Sequence, residues 1–541
     1  MTTTTNPTAS TDGGAAQAAA PPSWMSRLRP ARPRPWTVAV IAVSSVLHLW
    51  RLGLRPLAHD EAIDAYFSWQ ARSGAVMRYD PAYHGPLRFY LEGFVLRFLG
   101  TTPGWTRLVA ALAGIAATVL VARSVRTLGR VGAPVAALAF AISPTVLTVT
   151  RTGREDSLVV FVSLGLLLVL ARALVAPAPR HLVAAGALLA TSFALKETTF
   201  LFGFAAFCFV VGLLVRAALR ADSESRRAVV RLIALGRQPL MWSATMFLLV
   251  FLFVFTSAFG YSHGFSSGLL DGVRYWWSQH DVRRGSQRWF FYATIYGAYE
   301  SLLLGLAGVG LVVTVRRRSL IGAWFATMAG VQFALYSWAG EKFAWLAVHP
   351  LLPAVLLAGL GAQALAERCT RTVHRRVLGA ALGLTAFGTA VVAVRPAITD
   401  GADPRELLVT VQTSTDVPAI VDRLAAGQRD GSIGRILVDG RDSGSWPWAW
   451  YLHGFHDVAY QTVDPTALPE GYDAMIVSAA DGPVRVRAGY TVERFALRRW
   501  WLPDYDHVGL GDIVRWYVTR ETWNSTASSD QYLIIRTAPP G

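Results

Sequence analysis

Charge is scarce in this chain. Only 16% of its 541 residues are Asp, Glu, Lys or Arg, against about a quarter in soluble domains. The shortage argues against an ordinary soluble protein, and a 53% hydrophobic content points the same way. Cysteine is scarcer still. The two present, Cys208 and Cys369, lie in or beside apolar segments and far apart. That argues against a disulfide framework, and there is no Cys-x-x-Cys metal motif. No glycine-rich nucleotide fingerprint follows a predicted strand. No internal repeat of the transporter kind is visible.

Long apolar runs are abundant, recurring from residue 36 to residue 394. They are too long for the alternating strands of a membrane barrel, so they predict a polytopic helical membrane protein. The expected spans lie near 36–54, 105–122, 131–149, 157–174, 182–195, 198–219, 240–260, 295–315, 320–338, 349–366 and 377–394, about eleven in all. Residues 1–35 read as a disordered tail with a basic end, Arg27, Arg29, Arg32 and Arg34.

The net charge of +16 does not indicate nucleic acid, because the arginines cluster in short loops between apolar runs. Arg123 to Arg130, Arg172 and Arg180, Arg216 to Arg237, Arg316 to Arg318 and Arg368 to Arg376 each follow an even number of spans. That is the positive-inside pattern. It predicts a plasma-membrane protein with a cytoplasmic N-terminus. Residues 87–99 (LRFYLEGFVLRFL) are apolar but short and carry Arg88, Glu92 and Arg97. A span there would reverse every later side, so an amphipathic helix lying in the interface is expected.

The remaining charges then gather on the outer face: Asp60 and Glu61, Glu155 and Asp156, Lys196 and Glu197, His280 and Asp281, Glu341 and Lys342. Outer loops are polar in any case. Yet several of these groups sit at span ends, where ionisable side chains are costly and point to function. After residue 395, runs such as RILVDG (435–440) and YDAMIVSAA (472–480) alternate with VPAIVDRLAA (417–426). This predicts an extracytoplasmic α/β domain over 395–541.

The strings HDEAIDAYFSWQ (59–70), YDPAYHGPLRFYLEGFVLRFLG (79–100), RTGREDSLVV (151–160), SFALKETTF (192–200) and WAGEKFAWLAVHPLLP (338–353) resemble those of the GT-C glycosyltransferases. That group includes protein O-mannosyltransferases and lipid A aminoarabinose transferases. With RRGSQRWFFY (283–292) and WPWAWYL (446–452), the pattern is similar to the flippase-activity-associated family first named in archaea. The resemblance covers nearly the whole chain. Arg288 stands where that pattern has proline.

The resemblance implies transfer of a sugar from a polyprenyl phosphate to an extracytoplasmic acceptor, with inversion. The sugar is expected to be a hexose such as mannose, and the acceptor a protein, lipid or glycan. Such a reaction needs a general base and cations for the departing phosphate. Asp60 is the expected base, or a helix N-cap. Glu61 can orient it, bind a metal or cap the same turn. Asp156, a second candidate catalytic residue, forms with Glu155 a second acidic site that can position the acceptor or bind a metal, and Asp156 can equally cap the helix that follows.

Glu155, Arg154, Lys196, Glu197, Lys342, Glu341, His84 and Arg283 are the expected substrate-binding residues. Arginine suits phosphate because its guanidinium binds two oxygens at once. His59 and His280 are candidate ligands for a divalent metal beside the carboxylates. The aromatic loop at 261–293 can form an interface belt or cover the donor. The rival readings are a lipid-linked-sugar flippase or its accessory subunit, and a non-catalytic GT-C-like scaffold.

Overall fold

The structure, a computed structural model, describes residues 1–2, 35–220, 223–279, 282, 284–285 and 287–537. The expected tail falls almost wholly outside these residues. Each of the eleven apolar segments contains helix. Among the described residues, six helices are long and apolar enough to cross a membrane: Glu155–Val175, Thr199–Leu219, Gln238–Phe255, Leu320–Trp338, Ala344–Arg368 and Thr372–Thr399. Two further segments are bent pairs, Gly132–Ile142 with Pro144–Thr150 at 64° and Phe291–Tyr299 with Ser301–Arg317 at 105°. Pro35–Leu49 and Leu108–Arg123 are apolar but shorter, and Pro179–Phe193 has 15 residues. Six helices, or eight with the bent pairs, thus meet the crossing test, fewer than the eleven expected.

The breaks have local causes. Ser143 is extended, its side chain accepts from the Val146 amide, and Pro144 opens the next helix, a strong restart signal. Glu300 interrupts the other pair, and its Oε1 accepts from Ser143 Oγ at 2.7 Å and from the Thr145 amide at 3.0 Å. The two breaks therefore meet. Helices approach closely where side chains are small. A Cβ on Gly310 would lie 2.0 Å from the Leu357 carbonyl, and one on Gly361 2.1 Å from that of Leu306. This places Ala344–Arg368, most of whose residues are buried, at the centre of the bundle, with the largely uncovered Thr372–Thr399 at its margin.

The Leu87–Leu99 helix has 13 residues, about 20 Å of length, against the roughly 30 Å of a hydrocarbon core. It lies on the His59–Arg72 helix instead. A Cβ on Gly93 would sit 2.8 Å from the Ser68 carbonyl. Arg88 and Glu92 are buried in that contact, while Phe94 and Phe98 are exposed. The helix is amphipathic and does not reach across the bundle.

The C-terminal part forms one six-stranded sheet from β1 (Gln412–Thr413), β2 (Ile436–Asp439), β3 (Val458–Gln461), β4 (Ala474–Ser478), β5 (Tyr490–Trp500) and β6 (Ala527–Arg536). The order is β1-β5-β6-β4-β2-β3. β2 runs parallel to β3 and β4, and the other pairings are antiparallel. Val417, Ile420 and Leu424 of the Asp416–Asp430 helix pack on Ile436 and Val438. The domain is seated on the segment just before Asp60. Trp450 packs with Leu57, Ala62, Ala65 and Leu96. The Leu57 amide donates to Tyr451 Oη at 2.9 Å, and Gln412 Nε2 donates to the Pro56 carbonyl at 2.9 Å.

Candidate active site

The His59–Arg72 helix starts from an extended Ala58, whose amide donates to Glu61 Oε2 at 3.1 Å. This is the carboxylate half of a capping box. One residue of helix turns the side chain by about 100°, so Asp60 and Glu61 face different ways. Glu61 is fully buried. Arg107 holds both its oxygens, Nε to Oε1 at 2.6 Å and Nη2 to Oε2 at 2.8 Å, and the Gly153 amide donates to Oε1 at 2.7 Å. Burial alone would raise its pKa, but Arg107 outweighs burial and holds it down at about 2. Glu61 is thus a strut between the 55–61 turn and the 151–154 loop. Every oxygen is occupied, and Glu61 lines neither of the two cavities described below, in keeping with a cap of this turn.

Asp60 points the other way, with its side chain 40% exposed and in contact with Arg154. Burial works to raise its pKa, but the Arg154 guanidinium prevails and holds it below the ordinary carboxylate value. It is ionised at neutral pH. Arg154 spans two acids, its Nη2 lying 3.1 Å from Glu155 Oε1. Its guanidinium also sits 4.9 Å from the centre of the Trp345 ring.

Lys196 sits at the turn between Pro179–Phe193 and Thr199–Leu219. Its Nζ is 2.7 Å from Glu155 Oε1 and from both oxygens of Asp156. Burial disfavours its charge, yet Asp156 and Glu155 more than compensate and raise its pKa. His349 Nε2 is 2.9 Å from Asp156 Oδ1, and Tyr336 stacks on the His349 ring at 5.4 Å. His84 Nδ1 lies 2.7 Å from Glu197 Oε2 and its Nε2 3.5 Å from Glu155 Oε1. Burial opposes its protonation, but Glu155 and Glu197 override that and raise its pKa. These contacts join four distant segments at one end of the bundle. They place Asp60, Glu155 and Asp156 on the same side, as the interfacial 87–99 helix requires.

His59, Asp60, His84, Arg154, Lys196, Glu197 and Glu341 all line one cavity of about 350 Å³. Asp156 does not line it. That residue is 1% exposed and lies behind Lys196, as does Glu155. Asp156 stands in the first turn of Glu155–Val175 and contacts Lys196 and His349. Lys342 is also absent from the wall, its Nζ contacting the Ala339 carbonyl at 2.5 Å. Arg283 and His280 lie outside the described residues, but the neighbouring Arg284 lines the cavity.

A second cavity of about 200 Å³ shares His59, Asp60, Arg154, Phe343 and Trp345 with the first. Residues 408–412, which lead into the sheet domain, form its far wall. Phe343 and Trp345 stack face to face at 4.4 Å and divide the two cavities. His59 Nδ1, Thr148 Oγ1 and Arg154 Nε are buried polar atoms of this wall without a partner.

Three groups of residues were not apparent from sequence. Arg498 of β5 acts on both Asp60 and His59, and no local string marks it. Phe343 and Trp345 lie in the 338–353 string, where nothing in the local pattern marks them as cavity walls. Asp64, Arg88 and Glu92 form a buried triad, with Arg88 2.5 Å from Asp64 and 2.7 Å from Glu92.

Among the described residues, the carboxylates nearest His59 are paired with cations. His59 is held neutral, its pKa lowered to about 4 by burial and by Arg498, which is the form that binds a metal, but the carboxylates beside it are already engaged. Arg154 occupies Asp60, and Lys196 occupies Glu155 and Asp156. Among the described residues no three His, Cys, Asp or Glu converge as a ligand set.

Residues 83–242 match the family described as dolichyl-phosphate-mannose-protein mannosyltransferase. No curated protein matches the sequence significantly. The structure of ArnT from Cupriavidus metallidurans bound to undecaprenyl phosphate is similar, with a TM-score of 0.54 at 18% identity, covering 79% of this chain and 85% of that one. The same protein in its apo state gives 0.50 over the same shares at 18% identity. The sugar-donor-bound Pmt1-Pmt2 complex of S. cerevisiae aligns at 17% identity over 43% of this chain and 35% of that one, with a TM-score of 0.33. The family match thus covers residues 83–242, and the fold over most of the chain is similar to that of ArnT.

Proposed function

We propose that this protein transfers a sugar from a polyprenyl-phosphate donor to a hydroxyl acceptor at the extracytoplasmic face of the membrane. The observation that carries this reading is the placement of Asp60: an ionised, half-exposed carboxylate on the shared wall of two cavities. A single displacement needs that arrangement, with the donor on one side of the base and the acceptor on the other.

The larger cavity has the chemistry for the donor. Arg154, Arg284, Lys196 and His84 line it, and a cationic wall stabilises negative charge growing on a departing phosphate. Glu155, Asp156 and Glu197 hold three of those groups, so little reorganisation is needed when the phosphate leaves. The acceptor oxygen attacks the anomeric carbon as its proton passes to an Asp60 oxygen. The bond from that carbon to the phosphate oxygen breaks, and the electron pair leaves with the polyprenyl phosphate. An incoming phosphate competes for Arg154, which loosens its hold on Asp60 and makes the carboxylate more basic as the donor binds. Glu61 positions this base without touching the reactants.

ArnT, which shares the fold, binds undecaprenyl phosphate. That supports a polyprenyl donor. A hexose such as mannose is the proposed sugar, supported by the family description for residues 83–242 and by the sequence resemblance. The test uses the purified full chain with radiolabelled polyprenyl-phosphate sugars and a membrane extract. Transfer by the wild type and its loss in a folded Asp60→Asn variant are expected. Equal transfer by both would remove Asp60 as base. Lipid-sugar scrambling in vesicles without transfer would replace this reading with a flippase.

A further inference from the structure

The Leu510–Thr519 helix of the C-terminal domain carries an apolar face that the described residues do not cover. Leu510, Ile513, Val514, Tyr517 and Val518 are all exposed, Leu510 by 84% and Val518 by 68%. Their spacing, i, i+3, i+4, i+7 and i+8, makes a single stripe along the helix. The opposite face is anchored by the buried Trp516, whose ring lies 6.0 Å from that of Trp501 and 6.2 Å from that of Tyr299. Its Nε1 donates to the Arg405 carbonyl at 2.9 Å. The stripe is therefore held outward by a fixed anchor.

The end of the helix sets its height relative to the spans. Arg520 follows it, buried, and donates from Nε to Glu406 Oε1 at 2.7 Å. Tyr299 Oη donates to Glu406 Oε2 at 2.7 Å, and Arg395 Nε lies 3.8 Å from Glu406 Oε1. Tyr299 closes the short arm of a bent span, and Arg395 directly follows the Thr372–Val394 helix. The helix thus ends at the level where two apolar segments leave the bundle. The nearer part of the last span is itself uncovered, with Leu384, Phe387 and Val391 exposed.

We propose that the Leu510–Thr519 helix lies in the headgroup boundary of the bilayer leaflet on the site side. Its apolar stripe would face lipid and tie the C-terminal domain to the membrane surface. An uncovered stripe of this kind marks a membrane or protein contact, and an amphipathic helix lying flat is the usual membrane form. Lipid is favoured over a partner protein because the stripe adjoins the ends of apolar spans. The inference rests on the membrane-spanning fold and does not depend on the transfer reaction.

The test uses the full chain with Cys208→Ser and Cys369→Ser, and one new cysteine from Val514→Cys or Val518→Cys. Each carries an environment-sensitive fluorophore in phosphatidylcholine nanodiscs holding one chain, with or without lipid spin-labelled near the headgroup. Arg423→Cys, on the exposed face of the Asp416–Asp430 helix, serves as the reference. Blue-shifted emission and severalfold stronger quenching at 514 and 518 than at 423 are expected. Equal quenching at all three positions would overturn the proposal. So would a blue shift seen only in discs holding two chains, which would assign the stripe to a second copy.

Discussion

Asp60–Glu61 and Glu155–Asp156 both stand in the first turn of a helix at the same end of the bundle, yet their carboxylates meet different surroundings. In the first pair, one acid faces two cavities while the other is locked onto Arg107. In the second, both acids lie beneath Lys196 and neither lines the larger cavity. A cation exposed to the cavity and an acid exposed to the cavity thus come from separate pairs. The comparison teaches that an acidic doublet near a span is not a unit of function. In the first pair the helical turn between neighbours sends one side chain to the cavities and the other into the protein; in the second, Lys196 draws both inward.

The sharpest way to break this comparison is to neutralise one acid of each pair. Asp60→Asn should lower transfer by about 10²–10⁴-fold, the worth of a general base. Thermal unfolding should move little, since a partly exposed ion pair contributes about 1 kcal/mol or less. If transfer survives, the first pair has no base and the contrast fails.

Glu61→Gln should do the reverse on stability. Removing one partner of a buried ion pair costs about 3–5 kcal/mol, visible as a lower unfolding temperature. Its pH dependence has a definite sign. The folded pKa of about 2 lies below the ordinary 4.5, so the stabilisation is fully present above pH 4.5. It is lost as the pH falls toward 2. The shift corresponds to about 3 kcal/mol, so the gap between wild type and variant should narrow on acidification. A gap that stays constant would show that Glu61 is not ionised in the folded protein.

Asp156→Asn should have a smaller effect. Glu155 still holds Lys196, so transfer should persist, with a stability loss of about 1–3 kcal/mol from the weakened buried contacts. Complete loss of transfer with an intact fold would make Asp156 a reacting group after all. The smallest effect is expected at Trp345. Trp345→Leu removes a cation–π contact of about 0.5–2 kcal/mol and a dividing wall. It should raise the KM for donor while kcat falls less.

Much of this was legible in the sequence. Apolar runs of span length predict helices because a membrane leaves no other way to satisfy the backbone, and every expected segment contains helix. The arginine loops predict the sides, and the Asp60–Arg154 contact puts those two segments at one end of the bundle, as that count requires. The chain has only two lysines, Lys196 and Lys342, and both belong to this end of the bundle. The breaks at Ser143 and Glu300 were less legible. Serine before proline is a helix start, but whether it divides a span depends on what Glu300 meets across the bundle.

By itself, the sequence determined which segments are apolar, which loops are basic, and which short strings hold ionisable groups at helix starts. Those properties are local, set by hydropathy, charge and capping within a few residues. The tertiary structure alone decided which acid faces the cavities and which is a buried strut. Arg107, Gly153, Lys196, His349 and Arg498 reach these carboxylates across tens to hundreds of residues, and a carboxylate's chemistry is set by what surrounds it.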